Sequence, residues 1–126
     1  MSAPATPPAE PRVLVVEDEA IVSMMIEDVL AEMGCRVVGP AGRLEEALAL
    51  AAAEPLAAAV LDINLGGDAV YPAAELLARR GVPYLLVTGY EARHLPPERR
   101  GRPLLQKPFE PAELRSAAER VLAGTL

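Results

Sequence analysis

Short apolar runs alternate with longer amphipathic segments along the chain. The runs have strand length and lie at 12–16 (RVLVV), 35–39 (CRVVG), 57–61 (AAAVL), 83–87 (PYLLV) and 103–106 (PLLQ). Four of them are followed by apolar residues at helical spacing, in segments 19–33, 44–53, 70–80 and 111–123. This alternation predicts an α/β fold: an open parallel sheet with helices on both faces. Right-handed crossovers favour the strand order 2-1-3-4-5.

The fourth unit and the start of the chain depart from this pattern. Residues 90–101 (YEARHLPPERRG) contain Pro96 and Pro97, and proline interrupts helices. We therefore expect an irregular fourth helix. Residues 1–11 (MSAPATPPAEP) show no apolar periodicity, which predicts a disordered Pro- and Ala-rich tail ahead of one domain at 12–126.

Composition and charge exclude several classes of protein. A chain of 126 residues, 52% of them hydrophobic, is large enough for one packed core. It contains no unbroken apolar run of membrane length, so we expect a soluble protein with no membrane partner. The single cysteine, Cys35, excludes an internal disulfide and fits the cytoplasm. The net charge of -6 disfavours nucleic acid as a direct partner.

Reactive side chains fall at the carboxyl ends of four predicted strands, where open α/β sheets bind their ligands. They are Glu17 and Asp18 after the first strand, Asp62 after the third, Thr88 after the fourth and Lys107 after the fifth. Lys107 is the only lysine of the chain, and Thr88 is the only threonine outside the terminal tails. Taken singly, each has a simpler interpretation as a capping, turn or surface residue, and that interpretation is favoured for all but Asp62. Taken together, they predict one site.

These residue types suit phosphoryl transfer assisted by a divalent cation. Closely packed carboxylates repel one another unless a cation lies among them, and Mg²⁺ prefers oxygen ligands. A hydroxyl and an ammonium can hold the oxygens of a transferred phosphoryl group. A carboxylate can act as the nucleophile and form an acyl phosphate.

Four motifs in this order, VLVVEDE, VLDINLGG, VTGY and QKPFEPAEL, resemble the receiver domain of two-component response regulators over residues 12–122. The resemblance implies a flavodoxin-like (βα)5 doubly wound sheet and a Mg²⁺ cofactor. It implies that Asp62 accepts a phosphoryl group from a sensor histidine kinase or a histidine phosphotransfer protein. Mg²⁺ would be held by Asp18, Asp62 and the backbone carbonyl of Asn64, and by Glu17 through water.

The resemblance also implies roles for the remaining site residues. Thr88 would bind a phosphoryl oxygen, and Lys107 would pair with Asp62 at rest and with the phosphoryl group afterwards. The peptide bond between Lys107 and Pro108 would be cis, which is uncommon even for proline.

Two positions differ from the commonest receiver pattern. Leu104 stands three residues before Lys107, where many receivers carry an aromatic residue that swings inward on activation, so that switch is absent. Tyr90 follows Thr88 and Gly89, and PYLLVTGY resembles a receiver subgroup with Phe-Ala-Thr-Gly-Tyr style (FATGUY-like) motifs. We predict that Thr88 and Tyr90 report phosphorylation by reordering residues 89–101.

We therefore expect a single-domain response regulator that signals through protein contacts with a downstream target, as a monomer or weak homodimer. It would not be an enzyme beyond autodephosphorylation. Two alternatives stay open: a receiver-like module that is never phosphorylated, and a Mg²⁺-dependent phosphohydrolase of the haloacid dehalogenase type. The second class places an acid two residues after its nucleophile, where this chain has Asn64.

Overall fold

The structure, a computed structural model, describes residues 10–89 and 103–124 as a parallel sheet flanked by helices. In chain order the elements are β1 (Arg12–Val16), α1 (Ala20–Glu32), β2 (Arg36–Ala41), α2 (Leu44–Ala53), β3 (Ala58–Asp62), β4 (Asn64–Leu65), β5 (Asp68–Ala69), α3 (Tyr71–Arg79), β6 (Tyr84–Thr88), β7 (Leu104–Gln106) and α4 (Pro111–Ala123). None of the helices in these two ranges is long and apolar enough to cross a membrane.

The main sheet has five parallel strands in the order β2-β1-β3-β6-β7. Because β6 and β7 are the fourth and fifth predicted strands, this arrangement confirms the predicted order 2-1-3-4-5 and the flavodoxin-like class. The irregular fourth helix, predicted within residues 90–101, lies outside the described residues.

Successive strand residues alternate between two apolar cores, one on each face of the sheet. In β1, Leu14 and Val16 join the core that contains the buried residues of α2 and α3. Val13 and Val15 point the other way, into the core that contains the buried apolar residues of α1 and α4. The sheet is therefore covered on both faces, as the continuous apolar runs predict.

A small antiparallel hairpin, β4–β5, follows β3 directly and was not predicted from the sequence. Gly66 and Gly67 form its two-residue turn with φ values of +58° and +101°. Positive φ at both central positions is what a tight turn of this kind requires, and glycine adopts it readily. The turn reverses the chain a few residues after Asp62 and leads it to the start of α3.

Candidate functional site

The carboxyl ends of β1, β3 and β6 place three polar residues at one edge of the sheet. Asp62 ends β3 and Thr88 ends β6, while Glu17 directly follows β1. All three are buried, with 5%, 2% and 3% of their surface exposed respectively. Asp62 lies opposite Val87 in the β3–β6 register, so Thr88 is one residue further along the neighbouring strand.

Four acidic residues converge at this edge: Glu17, Asp18, Glu19 and Asp62. One carboxylate oxygen from each lies within 4.8 Å of the others. Glu17 and Asp62 are buried, whereas Asp18 and Glu19 are exposed. Hard divalent cations such as Mg²⁺ bind oxygen ligands of this kind, so the donor set fits the predicted cofactor.

Lys107 lies among these carboxylates. Its Nζ is 3.2 Å from Asp62 Oδ2, 3.3 Å from Glu17 Oε2 and 3.0 Å from Glu19 Oε1. Burial lowers the pKa of Lys107, but hydrogen bonds to Glu19 and Glu17 and the charge of Asp62 outweigh it and raise this pKa above its ordinary value. Lys107 is therefore a firmly protonated counterion of the cluster.

A backbone hydrogen bond fixes the position of the Lys107 main chain. Its N–H donates to the carbonyl of Thr88 at 2.7 Å, which extends the pairing of β7 with β6 by one residue. The peptide bond between Lys107 and Pro108 is cis in the structure. Phe109, which follows, is buried in the core on the α1–α4 face.

Glu17 has a strongly raised pKa. Burial, reinforced by a hydrogen bond and charge interaction with Asp62, raises the pKa of Glu17 to about 7. Hydrogen bonds from the backbone N–H of Glu19 and from Lys107 lower this pKa, but they do not outweigh the effect of burial. Glu17 Oε1 is buried and accepts no hydrogen bond of good geometry from any described residue, although Lys107 Nζ lies 3.1 Å away. A buried carboxylate oxygen without a hydrogen bond is costly, and a bound cation would satisfy it.

Asn64 supports the loop after Asp62 through both its backbone and its side chain. Its N–H donates to Asp62 Oδ1 at 3.3 Å, and its side-chain Oδ1 accepts the N–H of Gly67 at 2.9 Å. The amide thus holds the hairpin in place. The metal-ligand role of the Asn64 backbone carbonyl stays a prediction.

Of the three positions considered for the switch, the structure describes Thr88 and Leu104. Thr88 is buried at the end of β6, and Leu104 begins β7, half-buried against the core on the α2–α3 face. Tyr90 lies outside the described residues. That Thr88 and Tyr90 report phosphorylation by reordering residues 89–101 therefore stays a prediction.

Glu19 is the site residue that the sequence reasoning missed. It directly precedes α1, and its carboxylate makes the shortest of the three hydrogen bonds from Lys107. The available signal was the third acid of the run EDE at 17–19. An acid there has a simpler interpretation, because a helix start favours negative charge.

Comparison with known proteins identifies the family. The family model described as "Response regulator receiver domain" matches residues 13–119. The Transcriptional regulatory protein PdtaR of Mycobacterium tuberculosis is 32% identical over 112 residues, covering 86% of this chain and 55% of PdtaR. The Phyllosphere-induced regulator PhyR of Methylorubrum extorquens is 31% identical over 114 residues, covering 87% of this chain and 43% of PhyR. The chain thus spans about half the length of these curated relatives.

Solved structures agree with this assignment. The solution structure of SdrG from Sphingomonas melonis Fr1 has a TM-score of 0.79 and 37% identity, covering 90% of this chain and 98% of SdrG. The BeF3-activated conformation of SdrG from Pseudomonas melonis Fr1 matches with a TM-score of 0.75 and 37% identity, covering 88% of this chain and 95% of SdrG.

Proposed function

The chain belongs to the response regulator receiver family, and on this premise we propose that it accepts a phosphoryl group on Asp62 in a Mg²⁺-dependent reaction. The donor is the phosphohistidine of a sensor histidine kinase or of a histidine phosphotransfer protein. The observation that carries this proposal is the position of Asp62: it is buried at a strand end, 3.2 Å from the ammonium of Lys107 and within a cluster of three other carboxylates.

The geometry supports Asp62 as the nucleophile. Its carboxylate is held by the backbone N–H of Asn64 on Oδ1 and by Lys107 on Oδ2, so it presents a fixed oxygen to an incoming donor. One carboxylate oxygen attacks phosphorus, the P–N bond breaks, and its electron pair returns to the donor imidazole. The product is an acyl phosphate on Asp62.

Two groups offset the charge that this step concentrates at the site. Lys107 is already protonated beside Asp62 and would contact the phosphoryl oxygens, and the Thr88 hydroxyl would bind one of them. Mg²⁺, when bound, supplies further positive charge at the phosphoryl group. The residues that would hold it are Asp18, Asp62, the backbone carbonyl of Asn64 and, through water, Glu17.

The product would act as a signal rather than as a catalytic intermediate. Receiver domains are signalling modules, and we propose that this one is a phosphoacceptor with at most autodephosphorylation activity. Phosphorylation would be read by Thr88 and Tyr90 through reordering of residues 89–101. Binding of a downstream protein target would follow, with no contact to nucleic acid or membrane. A cytoplasmic location, a monomer or weak homodimer, and a receiver spanning residues 12–126 belong to the same proposal.

Phosphorylation from a small donor tests the proposal directly. The protein is incubated with Mg²⁺ and acetyl phosphate, and its intact mass is measured. We expect one added phosphoryl group on the wild type and on Asp68→Asn, which removes an exposed aspartate of the adjacent hairpin. Asp62→Asn should acquire none.

The same experiment separates the alternatives. A wild-type protein that never gains mass would be a receiver-like module that is not phosphorylated. Sustained release of phosphate from many esters would indicate a hydrolase of the haloacid dehalogenase type. The side-chain amide of Asn64 argues against the hydrolase: it stands at the position of that class's general acid and accepts a hydrogen bond from Gly67 instead.

The switch has its own test. We expect beryllium fluoride, which activates the relative SdrG, to change the amide NMR signals of residues 89–101. In a Tyr90→Ala variant that change should be lost while the signals around Asp62 still respond. A normal response of the segment in Tyr90→Ala would contradict the role of Tyr90.

A further inference from the structure

Lys107 has an anionic partner that the proposed phosphoryl transfer does not use. We propose that Glu19 is a positioning residue for Lys107: it holds the ammonium at the outer rim of the carboxylate cluster, beside Asp62. The Nζ to Glu19 Oε1 distance of 3.0 Å is shorter than the 3.2 Å to Asp62 Oδ2. This inference rests on the proposed function of Asp62.

The Lys107 ammonium has one N–H donor for each of its three carboxylate partners. It carries three N–H groups, and three carboxylates face it: Glu17, Asp62 and Glu19. All three belong to the acidic cluster, but only Glu17 and Asp62 are among the residues predicted to hold Mg²⁺. A carboxylate that faces a divalent cation attracts a second cation less strongly, so these two bonds would weaken once the metal is bound. Glu19 is then the partner that keeps Lys107 in place.

The backbone around Glu19 is fixed in a way that suits this role. Its N–H donates to Glu17 Oε2 at 3.1 Å, and its carbonyl accepts the N–H of Ser23 in the first turn of α1 at 2.9 Å. The side chain therefore starts from a well-defined point between the buried acids and α1. Glu19 can reach Lys107 without any change in the backbone.

The surroundings of the pair strengthen their attraction. Glu19 and Lys107 line one groove, whose other lining residues are apolar: Val22, Met25, Pro108 and Phe109. The Lys107 side chain is only 16% exposed, whereas that of Glu19 is 61% exposed. Apolar walls reduce the screening of a charge pair by water, and the side chains of these four residues offer the ammonium no strong acceptor.

Because Lys107 is the only lysine, its ammonium can be followed alone by NMR of the full chain labelled with ¹⁵N. The exchange of its protons with water is measured at low temperature, with and without millimolar Mg²⁺. We expect exchange to be several-fold faster in Glu19→Gln than in the wild type, most clearly with Mg²⁺ present. Glu32→Gln, at the exposed far end of α1, should behave like the wild type.

Equal exchange in Glu19→Gln and the wild type would overturn the proposal. Backbone amide spectra of both variants establish that they are folded. This measurement does not depend on phosphorylation. If the wild type never gains a phosphoryl group, the proposed function fails, while the pairing of Glu19 with Lys107 is still decided.

A double-mutant cycle then tests whether Glu19 acts through Lys107. The rate of phosphorylation by acetyl phosphate is measured for the wild type, Glu19→Gln, Lys107→Ala and the double variant. We expect Glu19→Gln to slow the reaction several-fold in the wild-type background and to leave the slower Lys107→Ala protein unchanged. Equal slowing in both backgrounds, or faster reaction of Glu19→Gln, would overturn the proposal, since either result assigns Glu19 an effect independent of Lys107.

Discussion

Lys107 Nζ lies 3.2 Å from Asp62 Oδ2 although 45 residues separate the two in sequence. Asp62 ends β3 and Lys107 directly follows β7, and only β6 stands between these strands in the sheet. Parallel strands bring their carboxyl ends to one edge, so sheet order alone brings these two residues close together. The ammonium offsets the charge of a carboxylate that is only 5% exposed.

Removal of this ammonium should slow phosphorylation far more than removal of a distant cation. We expect Lys107→Ala to react with acetyl phosphate about 10²-fold more slowly than the wild type, the usual cost of losing one group that stabilises transition-state charge. Arg115→Ala, which removes an exposed cation of α4, should react at the wild-type rate. The initial rate of mass increase measures both, and an unchanged rate for Lys107→Ala would contradict the assignment.

Glu17 should make the metal-free protein less stable as the pH rises. Burial, reinforced by Asp62, raises its pKa from 4.5 to about 7 in the folded protein. Between these values the folded protein keeps a proton that the unfolded chain has released. The stabilisation from this proton is therefore complete below pH 4.5 and is lost as the pH rises through 7. Relative to Glu17→Gln, the wild type should lose up to about 3 kcal/mol of unfolding free energy.

Urea unfolding of both proteins without divalent cations measures this difference. Comparison with Glu17→Gln cancels most of the contribution of the other charged groups at the site, which are Asp18, Glu19, Asp62 and Lys107. Saturating Mg²⁺ should flatten the pH dependence, because a cation favours the ionised carboxylate. A difference between the two proteins that stays constant with pH would show that Glu17 titrates at its ordinary pKa.

The site residues that lie at strand ends could be predicted from the sequence. Asp62, Thr88 and Lys107 could be assigned to one site from the sequence, because the carboxyl ends of parallel strands lie at the same edge of the sheet. Glu19 could not, since its contact with Lys107 depends on how the segment after β7 packs beside the start of α1. A run of acids at a helix start is favourable in itself, so its sequence gave no reason to look for a partner 88 residues away.

Element boundaries were predictable where periodicity extends over many residues and not where it is short. The limits of α2 and α4 agree with the predicted 44–53 and 111–123. The two-residue strands β4 and β5 are too short to show any period. The second apolar run, 35–39, predicted a strand that ends at Gly39. That boundary was wrong: β2 continues to Ala41, whose carbonyl accepts the N–H of Glu17 at 2.9 Å.

Gly39 should tolerate no side chain. Its φ is +97°, and a Cβ there would lie 2.9 Å from the backbone N of Ala41 and 3.0 Å from the carbonyl O of Val15. We expect Gly39→Ala to lose about 2 kcal/mol or more of unfolding free energy. Gly34→Ala is the matched control, since Gly34 has a φ of +82° but open space around it, and it should lose only about 1 kcal/mol. Equal losses in urea unfolding would show that crowding at Gly39 is relieved by backbone movement.

Arg80 should stabilise the end of α2 from the neighbouring α3 segment. Its Nη1 donates to the carbonyl of Ala51 and, at 2.8 Å, to that of Glu54, and the last carbonyls of a helix lack partners within it. We expect Arg80→Ala to lose about 1 kcal/mol of unfolding free energy and to speed amide hydrogen exchange in the last turn of α2. Arg79→Ala, one residue earlier and also exposed, should change both quantities little. Similar losses for the two variants would show that the loss comes from removing a positive charge and not from removing these two hydrogen bonds.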